Sequence, residues 1–142
     1  MDFIFGSACA YFENCQIHSL SRDESVNGYV TASSTPKGES YGYVFFKCSF
    51  TSNCRKHTVY LGRPWREYAK TVLVCCNIEN HIIPAGWDDW NRPNDHGTVF
   101  FAECACNGPG AVTSGRADWI HILSQEQAAY YTKELVLGYK PV

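Results

Sequence analysis

The sequence predicts an all-β chain wound into a stacked solenoid, with one short helix near the C-terminus. Three observations carry that expectation. Val, Ile and Thr total 25 residues against 7 for Leu and Met, and β-branched side chains favour strands where Leu and Met favour helices. A short pattern recurs four times, with a large apolar residue three before a cysteine and another apolar residue two after it. Clusters of turn-forming residues separate the copies. The length of 142 residues suits one domain.

The copies are Phe12-Glu13-Asn14-Cys15-Gln16-Ile17, Phe45-Phe46-Lys47-Cys48-Ser49-Phe50, Leu73-Val74-Cys75-Cys76-Asn77-Ile78 and Phe101-Ala102-Glu103-Cys104-Ala105-Cys106. Their cysteines, Cys15, Cys48, Cys76 and Cys104, lie 33, 28 and 28 residues apart. Residues two apart on a strand share a face, so each cysteine and its +2 neighbour point the same way. A repeat of this length holding one short strand per copy cannot bury its own apolar face and must stack on its neighbours. The segments are expected to be parallel strands, their four cysteines in register or one sheet apart. The thiols are read as an interior ladder of small hydrophobes, with one or two disulfides as the rival reading.

Turn clusters at 33–38, 51–53, 91–95 and 107–110 punctuate the strands rather than mark a linker. Ser124-Gln125-Glu126-Gln127 has the form of a capping box. It predicts a helix over 125–131 that covers the end of the stack, after which Gly138 and Pro141 end regular structure.

Composition excludes several function classes. Charged residues at 18% and aromatics at 15% do not fit a disordered chain. Twelve basic against 14 acidic residues give no reason to expect a nucleic-acid partner. No apolar run approaches the ~18 residues of a membrane span. The chain has no C-x-x-C pair, and Cys54-x-x-His57 lacks a second half, so neither a metal nor a cofactor is expected. Neither a basic region nor a cleavage site of a signal peptide follows Met1.

Three constellations could carry chemistry. In Asp2-Phe3-Ile4-Phe5-Gly6, strand alternation sets Asp2, Ile4 and Gly6 on one face and Phe3 and Phe5 on the other; taken alone, Asp2 reads equally as a solvated terminal aspartate. In Leu61-Gly62-Arg63-Pro64-Trp65, a stiff backbone presents a forked guanidinium for a carboxylate and a broad aromatic face for a sugar ring; a surface loop whose Trp packs on its own scaffold fits as well. Pro84-Ala85-Gly86-Trp87-Asp88-Asp89-Trp90-Asn91 suits a carbohydrate groove or a packed corner. His18, His57, His81, His96 and His121 share no spacing and read as surface or packing residues.

Together these motifs resemble the pectin methylesterases, or pectinesterases, carbohydrate esterases built on a right-handed parallel β-helix. Asp2-Phe3-Ile4-Phe5-Gly6 is similar to the family's D-F-I-F-G signature and Leu61-Gly62-Arg63-Pro64-Trp65 to its L-G-R-P-W signature. Ile83-Pro84-Ala85-Gly86-Trp87 and Asn107-Gly108-Pro109-Gly110-Ala111 resemble two further family segments, in the family's order. The resemblance implies that Asp2 is the nucleophile attacking a galacturonate methyl ester and that Arg63 orients it. It implies sugar contacts for Trp65, with Phe5 and Tyr68 lining the groove. Arg22 and Tyr29 resemble bacterial residues that hold neighbouring sugar units.

The implied partner is pectin (homogalacturonan), and the implied location is secreted or cell-envelope. A monomer is expected when full length. The family's acid/base aspartate and two oxyanion glutamines precede the D-F-I-F-G segment and have no counterpart in these 142 residues. Residues 1–142 are therefore expected to be the C-terminal part of a pectinesterase catalytic domain, a β-helix truncated at its N-terminal end and inactive alone. A non-catalytic β-helix that binds an acidic polysaccharide through Trp65, Trp87 and Trp90 is the alternative.

Overall fold

The computed structural model describes residues 1–138. The chain climbs in coils of three short strands. The first coil holds β1 (Asp2–Gly6), β2 (Ala10–Glu13) and β3 (Gln16–Ser19), the second β4 (Gly28–Ser33), β5 (Tyr43–Phe46) and β6 (Ser49–Ser52). The third holds β7 (Val59–Pro64), β8 (Lys70–Val74) and β9 (Asn77–Ile78), followed by β10 (Phe100–Cys104) and β11 (His121–Ile122). Equivalent strands stack into three sheets, ordered β1-β4-β7, β11-β10-β8-β5-β2 and β3-β6-β9, and every strand pair is parallel. Bridges from Val59 to Ile82 and from Gly62 to Trp87 begin a fourth rung on the first sheet. This is the parallel β-helix expected from the repeat.

The core lies between the three sheets. Ile17, Val30, Phe45, Phe50, Leu61, Leu73, Ile78 and Phe101 fill it, joined by Ile4 and Phe12 from the first coil. Phe12 and Phe45 stack at 4.6 Å in successive coils, as a solenoid that buries each coil against the next requires.

The fourth copy of the repeat sits two residues from where the sequence pattern sets it. Register runs Phe12–Phe45–Leu73–Glu103, whereas Phe101 pairs with Thr71. The fourth ladder cysteine is therefore Cys106, not Cys104. Each ladder thiol past the first donates to a carbonyl of the coil below: Cys48 to Phe12 at 3.4 Å, Cys76 to Phe45 at 3.5 Å and Cys106 to Leu73 at 3.8 Å. The residue before each ladder cysteine turns the corner in the left-handed region: Asn14, Lys47, Cys75 and Ala105, at φ 55°, 53°, 55° and 53°. All eight cysteines are free thiols, so the disulfide reading is not met. Hydrogen bonding among the thiols pulls Cys48 down and pushes Cys76 up.

The slip has a cause. Glu103 occupies the rung position that Phe12, Phe45 and Leu73 fill in the other coils, and its side chain is 2% exposed. Arg116 pairs with both its oxygens, at 2.8 and 3.0 Å, and Trp87 Nε1 donates to it at 3.1 Å. A carboxylate tolerates burial only with such partners.

The C-terminal segment corrects a second expectation. Ser124 does form a capping box, but α1 (Gln125–Ala128) passes into a 3₁₀ turn (Ala129–Tyr131), and a second helix, α2 (Lys133–Leu137), follows. The segment does not close the end of the stack. Val136, Ala128 and Tyr131 pack against Val44, Val72, Val74 and Ala102 on the flank of the five-stranded sheet. Gly138 caps α2 in the left-handed conformation at φ 72°, where glycine carries no Cβ penalty; Pro141 lies outside the described residues. No described helix is long and apolar enough to cross a membrane.

Candidate active site

Asp2 opens β1, and Arg63 lies near the end of β7, two strands away on the same sheet. In register Asp2 stands beside Tyr29, which stands beside Tyr60, while Arg63 is level with Ala32 and Phe5. Adjacent strands are ~4.8 Å apart, so the pair is bridged only because the long Arg63 side chain reaches back across β4. Nε donates to Asp2 Oδ1 at 2.9 Å and Nη2 to Oδ2 at 2.7 Å. This is the forked, bidentate arrangement that fixes a carboxylate's plane. The Asp2 and Arg63 side chains are 23% and 13% exposed, so the carboxylate still meets solvent. Exposure along β1 alternates, Phe3 and Phe5 being exposed and Asp2, Ile4 and Gly6 partly buried.

Aromatic rings frame the pair. The Arg63 guanidinium lies 4.2 Å from the centroid of the Trp90 ring and 5.9 Å from that of Tyr29. Tyr29 stacks on Tyr60 at 5.4 Å and meets Trp90 edge-on at 5.5 Å. The Tyr29 hydroxyl donates to Asp88 Oδ2 at 3.3 Å. Burial, then the charge of Asp88 and the hydrogen bond to it, push the Tyr29 phenol up to about 12. Burial with Asp88 and Asp89 raises Tyr60 likewise. Both phenols therefore stay protonated near neutral pH, and Tyr29 remains a donor.

The remaining sequence candidates fall into three places. Phe5 and Trp65 meet edge-on at 5.7 Å, giving a second aromatic surface beside the pair, and the Trp65 backbone N–H donates to the Ser33 carbonyl at 3.0 Å. Tyr68 carries the Lys37 ammonium over its ring at 5.7 Å. Arg22 stands apart: its side chain is 45% exposed and within 3.9 Å of Glu24. It lines a cavity of about 530 Å³ with Met1, Phe3, Leu20, Tyr29 and Val59, which includes neither Asp2 nor Arg63.

Asp88 and Tyr60 join the site without having been assigned to it, and Trp90, named only for the polysaccharide-binding alternative, joins it as well. Tyr29 and Tyr60 are one coil apart and in register on adjacent strands. The two tryptophans of the 84–91 segment part company: Trp90 covers Arg63, whereas Trp87 is 2% exposed and stacked on Phe101 at 4.6 Å. Trp87 is thus unavailable to a ligand, which removes one of the three contacts of the polysaccharide-binding alternative. Among the described residues no cluster of three or more His, Cys, Asp or Glu side chains is arranged to hold a metal ion.

Comparison with known proteins agrees with the fold. The model of the pectinesterase family matches residues 1–139. The chain is 36% identical over 132 residues to Pectinesterase 31 of Arabidopsis thaliana, a match covering 92% of this chain and 40% of that protein. It superposes on the pectin methylesterase from carrot with a TM-score of 0.83 and 31% identity, covering 96% of this chain and 46% of that one. A pectin methylesterase solved in complex with a hexasaccharide gives a TM-score of 0.80 at 31% identity, covering 99% of this chain and 48% of that one. This chain thus spans less than half the length of each. With the family match along nearly its whole length, the chain belongs to the pectinesterase family.

Proposed function

We propose that the chain supplies the nucleophile side of a site that hydrolyses the methyl esters of pectin to methanol and free carboxylate. The observation that carries this reading is the bidentate Asp2–Arg63 pair set among Trp90, Tyr29 and the Phe5–Trp65 surface. An Asp2 oxygen attacks the ester carbonyl carbon, the bond to methoxide breaks, and methoxide takes a proton and leaves as methanol. An aspartyl–galacturonyl anhydride remains. Water then adds to it, releasing the acid and restoring Asp2. Each carboxylate oxygen has two lone pairs, so the two bonds from Arg63 leave one on each for attack.

Phe5, Trp65 and Tyr68 offer apolar faces to sugar rings, while Arg22 and Tyr29 at the neighbouring cavity suit adjacent units of the polymer. The reaction needs no cofactor. Pectin lies outside cells, which places the activity in a secreted or cell-wall setting.

Asp2 and Arg63 provide a nucleophile and its orienting cation, but the methoxide needs a proton donor and the oxyanion needs hydrogen-bond donors. A missing general acid/base removes typically ~10²–10⁴ of rate, and a missing oxyanion donor a further ~10²–10³. The 142-residue chain alone is therefore expected to release no methanol above background from highly methylated pectin. A polypeptide extended N-terminally with a family-type segment carrying the aspartate and two glutamines is expected to release it. Asp2→Ala in that extended polypeptide should abolish release. Methanol production that survives Asp2→Ala overturns the assignment.

A further inference from the structure

Trp90 does not reach Arg63 from a regular strand. It sits in a turn in which Trp90 and Asn91 are both left-handed, at φ 55° and 56°. Asparagine tolerates that conformation, but a bulky side chain such as the Trp90 indole does so only at a cost that its surroundings must offset. Two consecutive aspartates hold this turn. Asp88 accepts the Trp90 N–H at 3.2 Å and the Tyr29 hydroxyl. Asp89 accepts the Asn91 N–H at 2.9 Å with one oxygen and pairs with His96 Nε2 at 3.0 Å through the other. The His96 ring lies flat on Trp119, 4.9 Å away and tilted by only 7°, and Trp119 rests on Phe101 in the core. An unbroken run of contacts thus leads from the core through His96 and Asp89 to the turn, and ends on the Arg63 guanidinium.

Resting on the reading of Asp2 and Arg63 given above, we propose that His96 is a positioning residue for that pair: through Asp89 it holds the strained turn that lays the Trp90 indole on Arg63. The indole shields one face of the guanidinium from water and confines its plane to the one that meets both Asp2 oxygens. His96 touches neither Asp2 nor Arg63, so it acts only through the turn.

The Arg63 Nε–H signal in proton–nitrogen NMR spectra of the 142-residue chain tests this, because an indole face shifts it upfield. Trp90→Ala gives its position without the indole. His96→Phe keeps a flat ring on Trp119 but loses the nitrogen, and should move the signal at least half of the way to the Trp90→Ala position. His96→Gln, which retains a donor for Asp89, should keep it nearer the wild-type position. Asp89→Ala breaks the same link from the other end and should match His96→Phe, so the test survives poor folding of either variant. The Trp87 Nε1–H signal, reporting the buried bond to Glu103, should stay in place throughout.

An Arg63 signal that stays at its wild-type position in the His96→Phe and Asp89→Ala variants overturns the proposal. So does one displaced equally by His96→Phe and His96→Gln. The signal reports geometry alone. The esterase reading stands or falls separately, on methanol release by the extended polypeptide.

Discussion

Replacing Glu103 with Leu would restore the Phe12–Phe45–Leu73 column to a fully apolar one, yet it should destabilise the protein. The Arg116 and Glu103 side chains are 3% and 2% exposed, and removing one partner of a buried ion pair costs about 3–5 kcal/mol because the other charge is stranded. Arg116 would keep its bonds to the Gly110 and Pro84 carbonyls, at 2.6 and 3.1 Å, but these leave its charge uncompensated. Arg116→Met should cost a similar amount by stranding Glu103. In the double variant no buried charge remains. What is left are the Trp87 N–H and the Gly110 carbonyl without partners, at about 1 kcal/mol or somewhat more each, the exposed Pro84 carbonyl being free to meet water. The double variant should therefore lie within about 3 kcal/mol of wild type, and the coupling between the two changes should be at least about 3 kcal/mol. Urea unfolding followed by tryptophan fluorescence measures all four corners of the cycle, and a domain with ~5–15 kcal/mol of stability leaves room for each single variant. Single costs under about 1 kcal/mol, or costs that simply add, would refute the view that this buried pair stands in for a core side chain.

Two further outcomes follow from buried groups. His81 is fully buried with both ring nitrogens unpartnered, and burial, reinforced by the charge of His18, pushes it from 6.5 down to about 4. Its neutral form is thus favoured in the fold: its contribution is intact above pH ~6.5 and is lost as pH falls towards 4, at about 1.4 kcal/mol per pH unit. Urea midpoints measured at pH 7.5 and at pH 4 should differ less in His81→Leu than in wild type, and an unchanged difference would sink this account. Cys9 and Cys75 are exposed, whereas Cys48, Cys76 and Cys104 are buried. A thiol reagent should therefore label the first two in the native protein and the last three only after denaturant is added, as peptide mapping of the labelled sites would show.

The solenoid was legible because its signal is short-range and repeated. Phe12, Phe45 and Leu73 each stand three residues before a ladder cysteine and set the register of three coils without error. The fourth coil slipped where Glu103 replaces the apolar residue, since the pattern then matched Phe101 two positions earlier. No periodicity reveals that a carboxylate sits in a core, because its licence to do so is Arg116, 13 residues further on in another loop. The second helix escaped for a related reason. Only Val136 of α2 is buried, so no apolar stripe announces it; the flank of the five-stranded sheet stabilises it.

The site divides along the same line. Asp2, Arg63, Trp65 and Phe5 were legible because two five-residue motifs carry them, and a motif records residue type and local backbone together. Contacts between motifs depend instead on how many residues each coil spends in its turns. Asp2 to Tyr29 takes 27 residues and Tyr29 to Tyr60 takes 31, so no fixed period predicts which side chains become neighbours. Trp87 and Trp90 make the point most sharply. Three positions apart in one acidic segment, they look interchangeable, yet Gly62 opens the space that takes Trp87 inward, where a Cβ on that glycine would come within 2.9 Å of the indole. The left-handed turn at Trp90 and Asn91 then swings the second indole outward over Arg63. One missing Cβ and two left-handed φ angles thus separate a core residue from a site residue, and neither is written in the hydrophobic pattern.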